Sequence, residues 1–199
     1  MKKYIFPVLF YFISSVIITI PLLLALFCNL DSGFFFNLID LLKFKFHLLT
    51  LFLLSVLLFL FLLLDSIIYR DKENFKDLEK NITALIGDKN NIFLNFILSF
   101  FGGYFEELFF RGYLFLLFKL FIPNIFVNIF IISAIFGFLH ITQKTFGVIF
   151  SFSVSVLFFI SLLLSKTVIY AIFFHIIFNF IELSFIFPMK KAKFSLSIF

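Results

Sequence analysis

Seven polar side chains stand inside otherwise apolar stretches of this chain: Glu106, Glu107, Arg111, His140, His175, Asn179 and Glu182. An ionisable group at the centre of a bilayer costs about 2.5–3.5 kcal/mol on insertion scales, so it normally has a partner and a task. Glu107 and Arg111 lie four apart with the acid N-terminal, the favoured order for an ion pair on a helix. Glu106 points about 100° away from Glu107 and does not easily share that partner. The two acids therefore divide into a structural carboxylate and a free one, and the free one, Glu106, suits general-base work. The same residues also read as a structural Glu–Arg clamp with a spare acid near the interface. His175 and Asn179 are four apart and share a helix face, with Glu182 three further on. A lone His in a span is more often a hydrogen-bonded packing residue than a ligand. Two histidines, an asparagine and a free carboxylate on three separate helices are a different matter, because together they can line one polar pocket. His47, the last of the three histidines, sits at a span end beside Lys43 and Lys45 and reads as interfacial.

The elements that must position these groups follow from composition. Of 199 residues, 63% are hydrophobic and 14% charged, and the mean hydropathy is +1.21. Soluble domains average about 45–50% apolar and about 25% charged, so this chain lacks the polar sequence for a soluble coat. The expected fold class is all-α, a polytopic transmembrane helix bundle of about six spans, forming a single integral-membrane domain over residues 1–199. The apolar segments run over about Ile5–Phe27, Phe46–Tyr69, a stretch within Ile92–Phe121, Ile122–His140, Phe146–Ser165 and Val168–Pro188. Phe occurs 40 times and Trp never; we read this as mutational bias towards AT-rich codons, with Phe replacing Leu against lipid. The single cysteine, Cys28, excludes an intrachain disulfide and a four-cysteine metal site. The first segment follows a Met-Lys-Lys start, but it is long and no small-residue cleavage site follows, so it reads as a span rather than a signal peptide. Ala25-Leu26-Phe27-Cys28 fits a lipoprotein box poorly.

The one long polar stretch, residues 70–91, mixes five bases with five acids. Phe75, Leu78, Ile82 and Leu85 recur at three and four residues, so the stretch reads as a polar cytoplasmic loop or an interfacial amphipathic helix. With the N-terminus inside, eleven bases fall on the cytoplasmic side and four outside, which supports an N-in/C-in arrangement. The net charge of +5 is thereby a matter of membrane topology, and no nucleic-acid partner is expected. Depth sets a constraint. A span starting at Ile92 would place Glu106 roughly 21 Å along its axis, out of reach of His140 at the end of its own span. A helix broken or restarted at Gly102-Gly103 would bring the two level.

The motifs resemble those of a known family. Glu106-Glu107-x-x-x-Arg111, Phe136-x-x-x-His140 and His175-x-x-x-Asn179, in that order and on successive helices, look like the three motifs of the CPBP (CAAX protease and bacteriocin-processing, Abi) family of intramembrane endopeptidases. Gly112 directly after Arg111 adds to the likeness. The motifs delimit a catalytic core of about residues 100–179, and the first two spans and the C-terminal tail carry no specific signal. The resemblance implies hydrolysis of peptide bonds in membrane-associated or lipidated peptides. By carry-over, Glu106 activates water, His140 orients or shares it, His175 and Asn179 stabilise the oxyanion, and Glu107 and Arg111 give structural support. The family is also described as metallopeptidases. In that version Glu106, His140 and His175 approach zinc or another divalent metal. No HExxH pair lies on one helix, and the expectation is a Glu-based site without an obligatory metal.

The expected partners are the lipid bilayer and a peptide or protein substrate at the membrane, and the expected location is a bacterial cytoplasmic membrane. The competing reading is a non-catalytic membrane scaffold or bacteriocin self-immunity protein, for which a costly pocket has no use. A small proton or ion carrier would also place Glu and His in spans, but the chain lacks inverted repeats.

Overall fold

The structure is a computed structural model that describes residues 40, 41, 43, 47–68, 79, 83, 90–141 and 144–196. The expected first span and nearly all of the 70–91 stretch lie outside the described residues. The rest is helical, as its composition demands: in lipid each backbone N–H and C=O must find its partner within the segment. Helix α1 runs over Leu48–Ile68 and α2 over Ile92–Glu107. A π-helical stretch, Leu108–Leu114, carries α2 into the short α3, Phe115–Phe121. Then come α4, Ile125–Leu139, α5, Lys144–Ser165, and α6, Ile169–Ile181. A second π stretch, Glu182–Ile186, leads into α7, Phe187–Leu196.

Among the described residues, three helical runs are long and apolar enough to cross a membrane: Ile92–Phe121, Gly147–Ser165 and Ile169–Met189. Leu48–Leu60 and Ile125–Leu139 are shorter apolar helices. The protein is an integral membrane protein with an all-helical fold. Its largest side chains confirm the solvent it is built for, since Phe93, Phe121 and Phe126 are more than 70% exposed on surfaces that only lipid can cover.

The chain turns where its sequence supplies caps. Asn91 starts α2 by accepting from the Leu94 amide at 3.1 Å. Pro123 separates α3 from α4, and Asn124 caps α4 by accepting from Phe126 and Val127. Between α5 and α6 the backbone reverses through Lys166, whose φ of 56° lies in the left-handed region. That reversal is strapped from outside: the Leu41 carbonyl accepts from the Val168 amide and the Thr167 hydroxyl, both at 2.9 Å.

Two helix pairs build the core. Helices α4 and α5 meet at Gly137, where an added Cβ would lie 2.8 Å from the Val148 carbonyl oxygen, and Ser155 donates to Ser133 across the same interface at 3.0 Å. Small residues and hydroxyl pairs are how helices approach closely without a hydrophobic drive from water. Helices α2 and α6 run antiparallel and meet at Gly103, where a Cβ would lie 2.8 Å from Ile176 Cγ1 and 2.9 Å from its backbone nitrogen. Gly102-Gly103 therefore does not break the helix. The expectation of a restart there is overturned: α2 continues through both glycines, and Gly103 serves as the seat of α6. The core that these pairs enclose centres on Ile132, Phe159 and Val168, all fully buried, with Phe110, Phe115 and Phe136 around them.

Candidate active site

The α2–α6 contact places the two acids of α2 against the histidine of α6. Glu107 and Arg111 are both fully buried and pair at 3.0 Å through Oε1 and Nη1, one helical turn apart as their spacing requires. The same Glu107 oxygen accepts from His175 Nδ1 at 2.7 Å, since a carboxylate only accepts and the ring must supply the proton. One oxygen therefore holds both an arginine and a histidine, and it fixes the tilt of the imidazole. With Nδ1 so engaged, Nε2 faces Glu106 Oε2 at 3.9 Å. The Glu106 side chain is 40% exposed and that of His175 only 9%. Glu106 is thus the accessible carboxylate of the pair, and Glu107 the buried one.

Arg111 satisfies its remaining face with rings. Its guanidinium carbon lies 4.7 Å from the centroid of Phe136, 5.2 Å from Phe159, 5.5 Å from Phe158 and 5.9 Å from Phe110. A planar, weakly hydrated cation suits an aromatic enclosure where an ammonium would not. Glu107 Oε2 and Arg111 Nε and Nη2 have no hydrogen-bond partner among the described residues, so the charge of the pair is spent within it.

His140 caps the C-terminal end of α4, and its Nδ1 meets the Phe136 carbonyl oxygen of its own helix at 2.9 Å. No hydrogen bond or ion pair among the described residues joins it to Glu106. Phe136 provides the link: its ring centroid lies 4.9 Å from that of His140 and 6.3 Å from that of His175. Asn179 is half-buried on α6, one turn beyond His175, and its side chain makes no hydrogen bond among the described residues. The structure thus gathers Glu106, Glu107, Arg111 and His175 into direct contact. Neither His140 nor Asn179 has a hydrogen bond or ion pair to them among the described residues. No group of three His, Cys, Asp or Glu residues placed to hold a metal ion occurs among the described residues.

Near His175 lies a small apolar cleft of about 20 Å³, lined by Leu54, Leu57 and Leu58 of α1, Val154, Leu157 and Phe158 of α5, and Phe174 and Phe178 of α6. Phe158 belongs to both regions, since its ring also sits 5.7 Å from that of His175.

Residues 88–181 match the type II CAAX prenyl endopeptidase Rce1-like family. The match takes in all three motifs and bears out the CPBP resemblance that they carry. No curated protein and no solved structure gives a match. The Rce1-like segment begins just before α2 and ends with α6, and so contains every residue of the site. Reasoning from the sequence missed two contributors within it. Phe136 opens the second motif, and its ring also meets those of His140 and His175 and the Arg111 guanidinium, which spacing does not reveal. Asn95, fully buried on α2, was passed over entirely. Its signal was available, because eleven residues at about 100° each bring it round to nearly the same face as Glu106.

Proposed function

We propose that this protein is a membrane-embedded endopeptidase, with Glu106 as the base that activates the attacking water. The observation that carries this reading is the asymmetry of the two acids: Glu107 is sealed in with Arg111 and His175, and Glu106 is exposed at the rim, 3.9 Å from the outward nitrogen of the same histidine. A base needs a carboxylate within reach of water and a neighbour that fixes its direction, and this arrangement supplies both. In the proposed reaction Glu106 takes a proton from water as its oxygen attacks the scissile carbonyl. His140 shares that water from the end of α4. His175 Nε2, when protonated, donates to the oxyanion alongside the Asn179 amide, while Glu107 keeps the ring from rotating away. The proton held by Glu106 then passes to the leaving amine.

The cleft near His175 is apolar but small, and in the proposal it takes an apolar part of the substrate once its leucine and phenylalanine walls move apart. A substrate anchored in the membrane, in an N-in/C-in protein of a bacterial cytoplasmic membrane, completes the proposal. The test compares the termini of membrane proteins in cells carrying the wild type or Glu106→Gln at matched abundance. Termini that vanish in the variant identify substrates and cleavage sites. Identical sets, with the protein present and any phenotype intact, overturn the peptidase reading.

A further inference from the structure

Helix α6 departs from regular α geometry just after the site, and Pro188 is the cause. Proline has no N–H and cannot donate to the carbonyl four residues back, which here is that of Ser184. The preceding amide, Phe187, bonds to the Glu182 carbonyl five residues back, so the Leu183 carbonyl also loses its usual helical donor. The adjacent Leu183 and Ser184 carbonyls thus lack their usual helical donors in a partly buried part of the bundle, where each would be costly without a partner.

Two asparagines, Asn90 just before α2 and Asn95 within it, take them both. Asn90 Nδ2 donates to the Ser184 carbonyl at 3.0 Å. Asn95 Nδ2 lies 3.2 Å from the Leu183 carbonyl oxygen and 3.3 Å from Ser184 Oγ, and donates to Asn90 Oδ1 at 2.7 Å. Ser99 closes the cluster by donating back to the Asn95 carbonyl at 2.7 Å. A fully buried amide bonded across the interface is specific to one alignment of the two helices. A slip of one turn, about 5.4 Å, would strand the amide and both carbonyls.

We propose that Asn95, backed by Asn90 and the Pro188-induced π turn, is the positioning residue that sets the register of α2 against α6 and so the separation of Glu106 from His175. The antiparallel pair is pinned at two levels, the polar lock at Asn95 and the seat of Ile176 on Gly103, and the reacting groups lie just beyond the second. Gly103 permits close approach but does not by itself choose a register, because an apolar seat tolerates sliding. The hydrogen bonds do choose.

The register is tested without reference to catalysis, although its consequence for turnover rests on the proposed peptidase reading. In a Cys28→Ser background, Glu106→Cys and His175→Cys are bridged in membranes with bis-thiol reagents of graded length. With Asn95 intact, the shortest bridging reagent dominates. Asn95→Leu keeps the γ-branched shape and removes the lock, and shifts the preferred reagent to longer spans or lowers the yield. Asn128→Leu is the control: Asn128 is another buried asparagine, bonded to the Phe115 carbonyl at 3.2 Å away from the α2–α6 contact, and it leaves the pattern unchanged. Asn90→Asp, at an exposed position, keeps the acceptor for Asn95 and removes the donor to Ser184; it gives a smaller shift of the same sign and decides the matter if Asn95→Leu does not accumulate. In the chain with both site residues restored, Asn95→Leu lowers kcat by about 10- to 100-fold, as misplacement of about 1 Å does, with KM little changed. An unaltered cross-linking pattern in both Asn95→Leu and Asn90→Asp overturns the proposal. A shifted pattern in a protein whose Glu106→Gln variant loses nothing retains the lock and discards the peptidase.

Discussion

Neutralising Glu107 should cost more than removing the arginine it holds. Glu107→Gln leaves the Arg111 guanidinium fully buried beside a neutral amide, and breaking a buried ion pair by removing one partner costs about 3–5 kcal/mol. Arg111→Met is different, because the Glu107 carboxylate keeps the 2.7 Å bond from His175, and a hydrogen bond to a charged group is worth about 1.5–3 kcal/mol. The arginine variant should therefore fall at or below the lower end of the same range. Replacing both residues with apolar ones, Glu107→Leu with Arg111→Met, removes the charges together, an exchange that is often neutral or stabilising. The double variant should consequently be more stable than Glu107→Gln alone. For a chain of this size, about 1 kcal/mol corresponds to roughly 2–4 °C in melting temperature, so Glu107→Gln should melt about 6–20 °C lower. Melting by size-exclusion after heating of detergent-extracted protein measures all three. The reasoning fails if Glu107→Gln melts within about 2 °C of wild type, or if Arg111→Met is the more damaged of the two.

Glu106→Gln should leave melting unchanged within about 0.5 kcal/mol, as for an exposed side chain, while turnover falls by about 100- to 10,000-fold; a peptide-release assay on purified protein reads both. Asn179→Ala should lower kcat by about 100- to 1,000-fold if its amide meets the oxyanion, and a loss confined to KM would assign it to substrate binding instead. Gly103→Ala places a methyl group 2.8 Å from Ile176 Cγ1 and 2.9 Å from its backbone nitrogen, and should cost about 1–3 kcal/mol by overpacking, measurable as lower membrane abundance and melting temperature. Leu57→Ala should widen the small cleft and lower KM for substrates with a large apolar group while leaving short polar peptides unchanged, and equal effects on both would remove the cleft from recognition.

The sequence made some of this legible and hid the rest for identifiable reasons. Helical spacing revealed the Glu107–Arg111 pair and the separate direction of Glu106, because both depend only on local geometry. It did not reveal that His175 would bond to Glu107 and merely face Glu106. That outcome depends on an imidazole having two nitrogens that reach different partners, and on where Gly103 lets α6 settle. The depth of Glu106 relative to His140 argues for a break at the glycine pair, yet a bundle in lipid uses glycine as a contact surface and keeps the helix continuous. The π stretches were equally hidden, although Pro188 was in view. A proline predicts a disturbed helix, and only the neighbouring asparagines decide that the disturbance becomes a wider turn with its carbonyls occupied.

Helix α4, at 15 residues, rises only about 22 Å, against a hydrocarbon thickness of roughly 30 Å. Such a mismatch is relieved by thinning the bilayer locally or by drawing headgroups inward. His140 stands at the end of this short helix, followed by the exposed Ile141. The thinned leaflet would then lie where a hydrolase most needs it, since water is a substrate that lipid excludes. On this account the thickness of the host membrane becomes a kinetic variable: thicker bilayers should slow the reaction by starving it of its second reactant.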